Sequence, residues 1–259
     1  MYFCSLYHVF PIQKRLCYNT GYLKYCENSI GDNIMELKII YEDTHILVCL
    51  KPAGIPTQTA SLAGQDMVSL LKNYLAKQGT QKNPYLGVIH RLDQPVSGLL
   101  VFAKNKKAAA ALSHQIQTGF ANKDYLALCE GTLEEREGTL IHYLSKDAKT
   151  KLAKVTTETD KEGKKAELNY RIEKEQEGCS VVKIELQTGR FHQIRAQFSA
   201  IGHPLLGDMK YGTAESKELS QKKQIRQIAL CAYRLVLQHP ITGKNMEFLL
   251  HKEDIPKWY

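Results

Sequence analysis

The sequence predicts an α+β domain, with a mixed and mostly antiparallel sheet flanked by helices and loops. Three observations carry that expectation. Short apolar runs with a period of two follow one another closely, the clearest being Ser180–Leu186, where Val182, Ile184 and Leu186 alternate with Lys183 and Glu185. Only a few segments carry apolar residues at helical spacing. Glycine and proline punctuate the ends of the runs, as in Lys51-Pro52-Ala53-Gly54 and Gly202-His203-Pro204.

Residues 1–34 have no sustained period and are expected to form an irregular or disordered extension ahead of a single folded domain at 35–259. The first 33 residues are accordingly expected to be dispensable, with Met35 a candidate initiator. The alternative is that the segment wraps the domain and covers an edge. Strands are expected over Glu36–Tyr41 and His45–Leu50, then a helix over Val68–Ala76 with Val68, Leu71 and Leu75 on one face. Gly98–Ala103 reads as a strand. Asn105 is placed to cap an Ala-rich helix that stops at Gly119. Tyr125–Cys129 is the next strand. The polar, Lys-rich stretch from Thr132 to Glu167 is expected to form loops and edge strands. After the strand at Ser180–Leu186, a helix beginning just beyond Gly189 would carry Phe191, Ile194, Phe198 and Ile201 as its apolar stripe. Ile228–Leu237 and Met246–Leu250 form the last pair of strands.

Lys and Arg number 35 against 27 Asp and Glu, a net charge of +8 that suits a polyanionic partner. The positive charge is clustered at Lys104/Lys106/Lys107, Lys149/Lys151/Lys154 and Lys161/Lys164/Lys165, though each cluster alone reads as an ordinary solvated surface. The seven cysteines are odd in number and form no C-x-x-C pair, and Cys49, Cys129 and Cys231 sit in apolar runs. That pattern points to a reducing cytoplasm and away from structural zinc. Neither a signal-peptide pattern nor an apolar run near the ~20 residues of a membrane span is present.

Three segments stand out chemically. In His90-Arg91-Leu92-Asp93-Gln94-Pro95-Val96-Ser97-Gly98 a carboxylate occupies a tight turn immediately before a buried strand. A rigid scaffold edge is where reactive groups are held, although most loop aspartates only bond nearby backbone N–H groups. In Gln187-Thr188-Gly189-Arg190-Phe191-His192-Gln193-Ile194-Arg195 a helix start rich in Arg and His offers an anion site, with His192, Arg195 and Ser199 opposite the apolar stripe. A third segment, Asn122-Lys123-Asp124-Tyr125, opens a strand with a Lys and a Tyr.

These segments together resemble the RluA-type RNA pseudouridine synthases. His90-Arg91-Leu92-Asp93 with Ser97-Gly98-Leu99 is similar to that family's active-site signature. Lys51-Pro52-Ala53-Gly54, the Lys123/Tyr125 pair, the block from Thr188 to Arg195, Gly202–Asp208 with Tyr211-Gly212, and His239-Pro240 agree in order. The resemblance runs from Met35 to the C-terminus and departs mildly at Ala196 and Gln197, where an aliphatic residue and a histidine are usual. It implies a pseudouridine-synthase fold and an isomerase acting on ribosomal or transfer RNA without cofactor or metal, as an expected monomer. Asp93 would act covalently or as a base on the ribose. Arg195 would hold it ionised through a bidentate pair, and Tyr125 would stack on the uracil and assist loss of the C5 proton. Arg91 would fill the place of the flipped nucleotide or grip its phosphate, and His90, Lys123, Arg190 and His192 would complete substrate binding. Two other readings are weaker. A catalytically silent RNA-binding protein conflicts with the intact Asp93. A protein kinase would need the Leu and Asp after His-Arg in the opposite order, together with an Asp-Phe-Gly motif and a Gly-rich phosphate loop.

Overall fold

The computed structural model describes residues 24–28, 35–59, 64–79 and 82–259. Its elements in chain order are β1 (Lys24–Asn28), β2 (Met35–Glu42), β3 (Ile46–Lys51), α1 (Met67–Gln78), β4 (Gly87–Val88), β5 (Ser97–Ala103), α2 (Lys106–Gln117) and β6 (Asn122–Glu130). There follow β7 (Glu137–Lys146), β8 (Ala153–Thr156), β9 (Lys164–Gln176), β10 (Cys179–Leu186), α3 (Gln193–Ala200), α4 (Ala214–Lys222), β11 (Leu230–Gln238) and β12 (Asn245–Leu249). The strands form one sheet in the order β1-β2-β3-β5-β11-β6-β10-β9-β7-β8, with β4 added on β5 and β12 on β11. Every pairing among the described residues is antiparallel except β5 with β11, so the sheet is mixed and mostly antiparallel, as expected from the sequence.

Alternation along β5 divides its side chains between two cores. Leu100 and Phe102 point to the face covered by α1 and α3, while Leu99, Val101 and Ala103 point to the face covered by α2 and β12. A central strand buried on both sides reads as an unbroken apolar run, which is how Leu99–Phe102 appears in the sequence. α1 starts at Asp66, whose carboxylate accepts from the Ser69 N–H at 2.7 Å, and α2 at Asn105, which accepts from Ala108 N–H at 2.9 Å.

The expectations differ from the structure in four places. Within the stretch expected to be irregular, Lys24–Asn28 pairs antiparallel with β2; the remainder of residues 1–34 lies outside the described residues. The polar region from Thr132 supplies long strands, β7 and β9, whose outer faces are solvated, with only the short β8 at the edge. α4 was not anticipated, because it buries only Ser216 and Ser220 and so has no apolar stripe to detect. Finally, α3 begins at Gln193 rather than beyond Gly189. His192 is left-handed (φ 52, ψ 27), which stops the helix from extending back and leaves Phe191 41 % exposed rather than in the core.

Gly98 shows how closely the fold approaches behind the Asp93 turn. Its φ is +134, and a Cβ there would lie 2.4 Å from the Ala232 carbonyl oxygen and 2.5 Å from the Ala232 nitrogen. Those backbone atoms belong to the parallel β5–β11 pairing, so neither partner can give way cheaply. Gly98→Ala combines backbone strain with a forced separation of two central strands, and should cost about 3–5 kcal/mol. Thermal unfolding should record a fall on the order of 10 °C for a domain of this size; a melting temperature equal to that of the parent would disprove the packing argument.

Candidate active site

Asp93 sits on the turn between Leu92 and Val96, closed by the Val96 N–H donating to the Asp93 carbonyl at 3.0 Å. The loop after β3 clamps this turn on both sides. Thr57 Oγ1 donates to the Leu92 carbonyl at 3.0 Å and accepts from the Leu92 N–H at 3.1 Å. Gly54 N–H donates to the Gln94 carbonyl at 2.9 Å, and Gln94 Nε2 returns a bond to the Gly54 carbonyl at 3.0 Å. The fully buried Lys51 ammonium donates to the carbonyls of Pro52, Ile55 and Gln94 at 2.9, 2.6 and 3.0 Å. Burial lowers the Lys51 pKa to about 8, with the Asp93 charge pulling the other way. The turn that bears the carboxylate is therefore held by the end of β3 and the loop after it, some 40 residues earlier in the chain.

All eight residues singled out from the sequence line one cleft of about 1360 Å³. That exceeds the ~300–1,000 Å³ of a small-molecule pocket and suits a macromolecular ligand. Asp93 Oδ2 accepts from Arg195 Nη1 at 3.2 Å, and its side chain is 27 % exposed. The bidentate pair expected between these two residues is a correction: Arg195 directs its fork at Asp208 instead, with Nε to Oδ2 at 2.7 Å and Nη2 to Oδ1 at 2.8 Å. Asp208 is 2 % exposed and Arg195 4 %, so Asp208 orients the guanidinium and leaves Nη1 for Asp93. Burial opposes the Arg195 charge, but hydrogen bonds and charge from Asp208 and then Asp93 prevail and raise its pKa. Asp208 was part of a quoted block without a role; its pairing needs residues 13 apart across a turn, which spacing alone does not reveal.

Tyr125 lies 6 % exposed at the start of β6, and burial, reinforced by the Asp93 charge, pushes its phenol well up, holding it neutral. His192 reaches within 3.6 Å of Asp93 Oδ2 through Nε2. Its Nδ1 lies 2.8 Å from the Tyr211 hydroxyl, which accepts from the Ala153 N–H at 2.7 Å. When the hydroxyl donates its proton to Nδ1, the ring carries its own proton on Nε2 and turns a donor toward Asp93. Burial first, against the pull of Asp93, lowers the His192 pKa to about 4. Tyr211 is a second residue whose part in the site emerges only from the structure.

The remaining candidates are arranged around this centre. His90 Nε2 accepts from the Val101 N–H at 3.3 Å, and burial lowers its pKa to about 3, so it is neutral and bound to β5. Arg91 is exposed at the cleft. Burial lowers the Lys123 pKa, and its ammonium lies beside Gly189. Arg190 donates from Nε to the Lys165 carbonyl at 2.8 Å, tying the cleft rim to β9. Gln193 locks the same turn, accepting from Thr188 Oγ1 at 2.8 Å and from the Arg190 N–H at 2.9 Å. Phe191 stacks on His192 with ring centroids 3.8 Å apart and 20° between planes, and the Lys146 ammonium lies over the Phe191 ring at 4.7 Å from its centroid. At Gln197, where the sequence departs from the family pattern, the side chain donates to the Leu140 and Ala166 carbonyls at 3.1 and 3.2 Å and fastens α3 to β7 and β9. Among the described residues no group of three His, Cys, Asp or Glu converges as metal ligands would, and no helix is long and apolar enough to cross a membrane.

Solved structures with the same architecture include human RNA Pseudouridylate Synthase Domain Containing 4, with a TM-score of 0.68 at 20 % identity over 85 % of this chain and 89 % of that one. Human RNA Pseudouridylate Synthase Domain Containing 1 gives 0.66 at 24 % identity, covering 88 % and 86 %. The fold is thus that of the pseudouridine synthases. The sequence profile of the RNA pseudouridylate synthase family matches residues 45–200. The Ribosomal large subunit pseudouridine synthase D of Zymomonas mobilis is 35 % identical over 82 % of this chain and 68 % of its own length. The Dual-specificity RNA pseudouridine synthase RluA of Vibrio parahaemolyticus is 35 % identical over 75 % and 77 %. The chain belongs to the RNA pseudouridylate synthase family, as a member of its RluA type. It spans about two thirds of the length of the large-subunit relatives it matches.

Proposed function

We propose that this protein isomerises uridine to pseudouridine in large-subunit ribosomal RNA, in the cytoplasm and as a monomer, with Asp93 as nucleophile and residues 35–259 as the catalytic unit. The observation that carries the reading is the Asp93 carboxylate, fixed on a clamped turn, paired to Arg195 at 3.2 Å and set in a cleft with the neutral Tyr125. The isomerisation breaks the N1–C1′ bond, turns the uracil and joins C5 to C1′; the proton lost from C5 balances the one gained at N1. A carboxylate is a competent nucleophile at carbon, and Arg195 keeps its charge next to developing sugar charge. Tyr125 supplies a stacking face for the uracil and assists loss of the C5 proton. Arg91 takes the place of the extruded nucleotide, and His90, Lys123, Arg190 and His192 line its path.

Purified protein incubated with large-subunit ribosomal RNA transcripts, and separately with transfer RNA, should place pseudouridine at discrete uridines of the ribosomal transcript in a pseudouridine-specific chemical readout. Modification of transfer RNA alone would reassign the substrate, and none on either RNA would refute the activity. Lys146 and Lys151 line the cleft. Affinity should therefore fall linearly with salt on a log–log plot, with a slope of several units, as bound phosphates release their counterions. A flat plot would contradict a phosphate-tracking cleft.

A further inference from the structure

Phe191 is apolar, occupies a position that the helical pattern assigns to the core, and yet lies 41 % exposed on the wall of the Asp93 cleft. What keeps it there is His192, a non-glycine residue in the left-handed region that ends α3 one residue short of Phe191. Strain of this kind persists where the surrounding structure over-determines it, and it concentrates at functional sites. Here the surroundings are explicit: Gln193 ties down the Thr188–Arg190 turn, and the His192 ring is bonded to Tyr211 and lies parallel to Phe191 at 3.8 Å. The Phe191 ring is thus backed by a fixed aromatic plane on one side. The exposed Lys146 ammonium lies over the ring 4.7 Å from its centroid, a weak partner that gives way easily.

We infer that the outer face of Phe191 is a stacking subsite for the base of an RNA nucleotide flanking the target, with Lys146 turning from the ring to that nucleotide's phosphate. His192 lies between Phe191 and Asp93, touching the ring of one and approaching the carboxylate of the other at 3.6 Å. A base on Phe191 therefore belongs to a neighbour of the uridine at Asp93 and not to that uridine, which faces Tyr125. Stacking on an aromatic face tolerates any base, so the subsite adds affinity and sets the path of the strand without specifying sequence. The inference rests on the proposed RNA activity and extends it to a second nucleotide.

The test uses the full chain carrying Asp93→Asn, so that turnover does not enter, and a short fluorescein-labelled oligouridine as probe. Phe191→Ala and Phe191→Leu should each weaken binding roughly tenfold, because leucine restores apolar area but not a stacking face. Phe191→Trp should bind as tightly as phenylalanine. In a Trp258→Phe background, which removes the chain's one native tryptophan, the introduced indole should be quenched on titration with unlabelled oligouridine. Lys146→Ala should lower the log–log salt slope by about one, whereas Phe191→Ala should leave the slope alone. Equal affinity of the leucine variant and its parent, or an unquenched indole at saturation, would overturn the subsite. Pseudouridine formation by the unaltered chain is measured separately, so a failed subsite leaves the activity standing, and a chain that modifies no RNA removes both.

Discussion

Asp93→Asn is expected to lower pseudouridine formation by roughly 10⁴-fold or more, the scale seen when a covalent enzyme loses its nucleophile. The amide keeps the shape of the carboxylate and one oxygen for the Arg195 Nη1 bond, so it removes charge and nucleophilicity while changing little else. Stability should move by less than about 1 kcal/mol, because the Asp93 side chain is 27 % exposed and its ion pair is partly screened. Arg195 retains its fork on Asp208, so no buried cation is stranded. The informative result is the separation of the two readouts: activity gone, melting temperature within a few degrees of the parent. Residual turnover above a protein-free control would show that Asp93 is not the nucleophile, whatever the geometry around it.

Arg195→Ala should be damaging in both readouts, and the stability loss comes chiefly from Asp208. With the guanidinium removed, the Asp208 carboxylate stays buried, and among the described residues the Lys210 and Tyr211 N–H groups, at 2.9 and 3.2 Å, are left to solvate it. Breaking a buried pair from one side costs about 3–5 kcal/mol, or on the order of 10 °C in melting temperature here. Arg195→Ala combined with Asp208→Asn should recover much of the stability and none of the activity, since Asp93 still lacks its partner. Arg195→Lys should rescue activity only in part, because one ammonium cannot hold Asp208 bidentately and reach Asp93 as well. If the single Ala variant melted like the parent, the role assigned to Asp208 would be wrong.

Much of this molecule is legible from local pattern. Alternation in Ser180–Leu186, the apolar run of β5 and the cap at Asn105 depend on neighbours within a turn or across a pleat, and such signals survive in one dimension. The same holds for the Asp93 turn, and the ordered blocks around Lys51, Asp93, Tyr125 and Arg195 carry a resemblance that the family profile bears out. Tertiary structure alone decided which partner each polar group chose. Arg195 could have bridged to Asp93 with both nitrogens; the turn that brings Asp208 under α3 claims the fork and leaves one nitrogen for Asp93. Lys51 caps the Gln94 carbonyl from 43 residues away, and Gly98 is demanded by Ala232 on a strand more than a hundred residues later. Phe191 fits a helical stripe until His192 turns left-handed and moves it to the cleft wall. Periodicity reports which face of an element is apolar because that is a property of adjacent residues. Pairing, burial of charge and backbone strain depend on what distant segments bring into contact, and that is settled only when the chain has closed on itself.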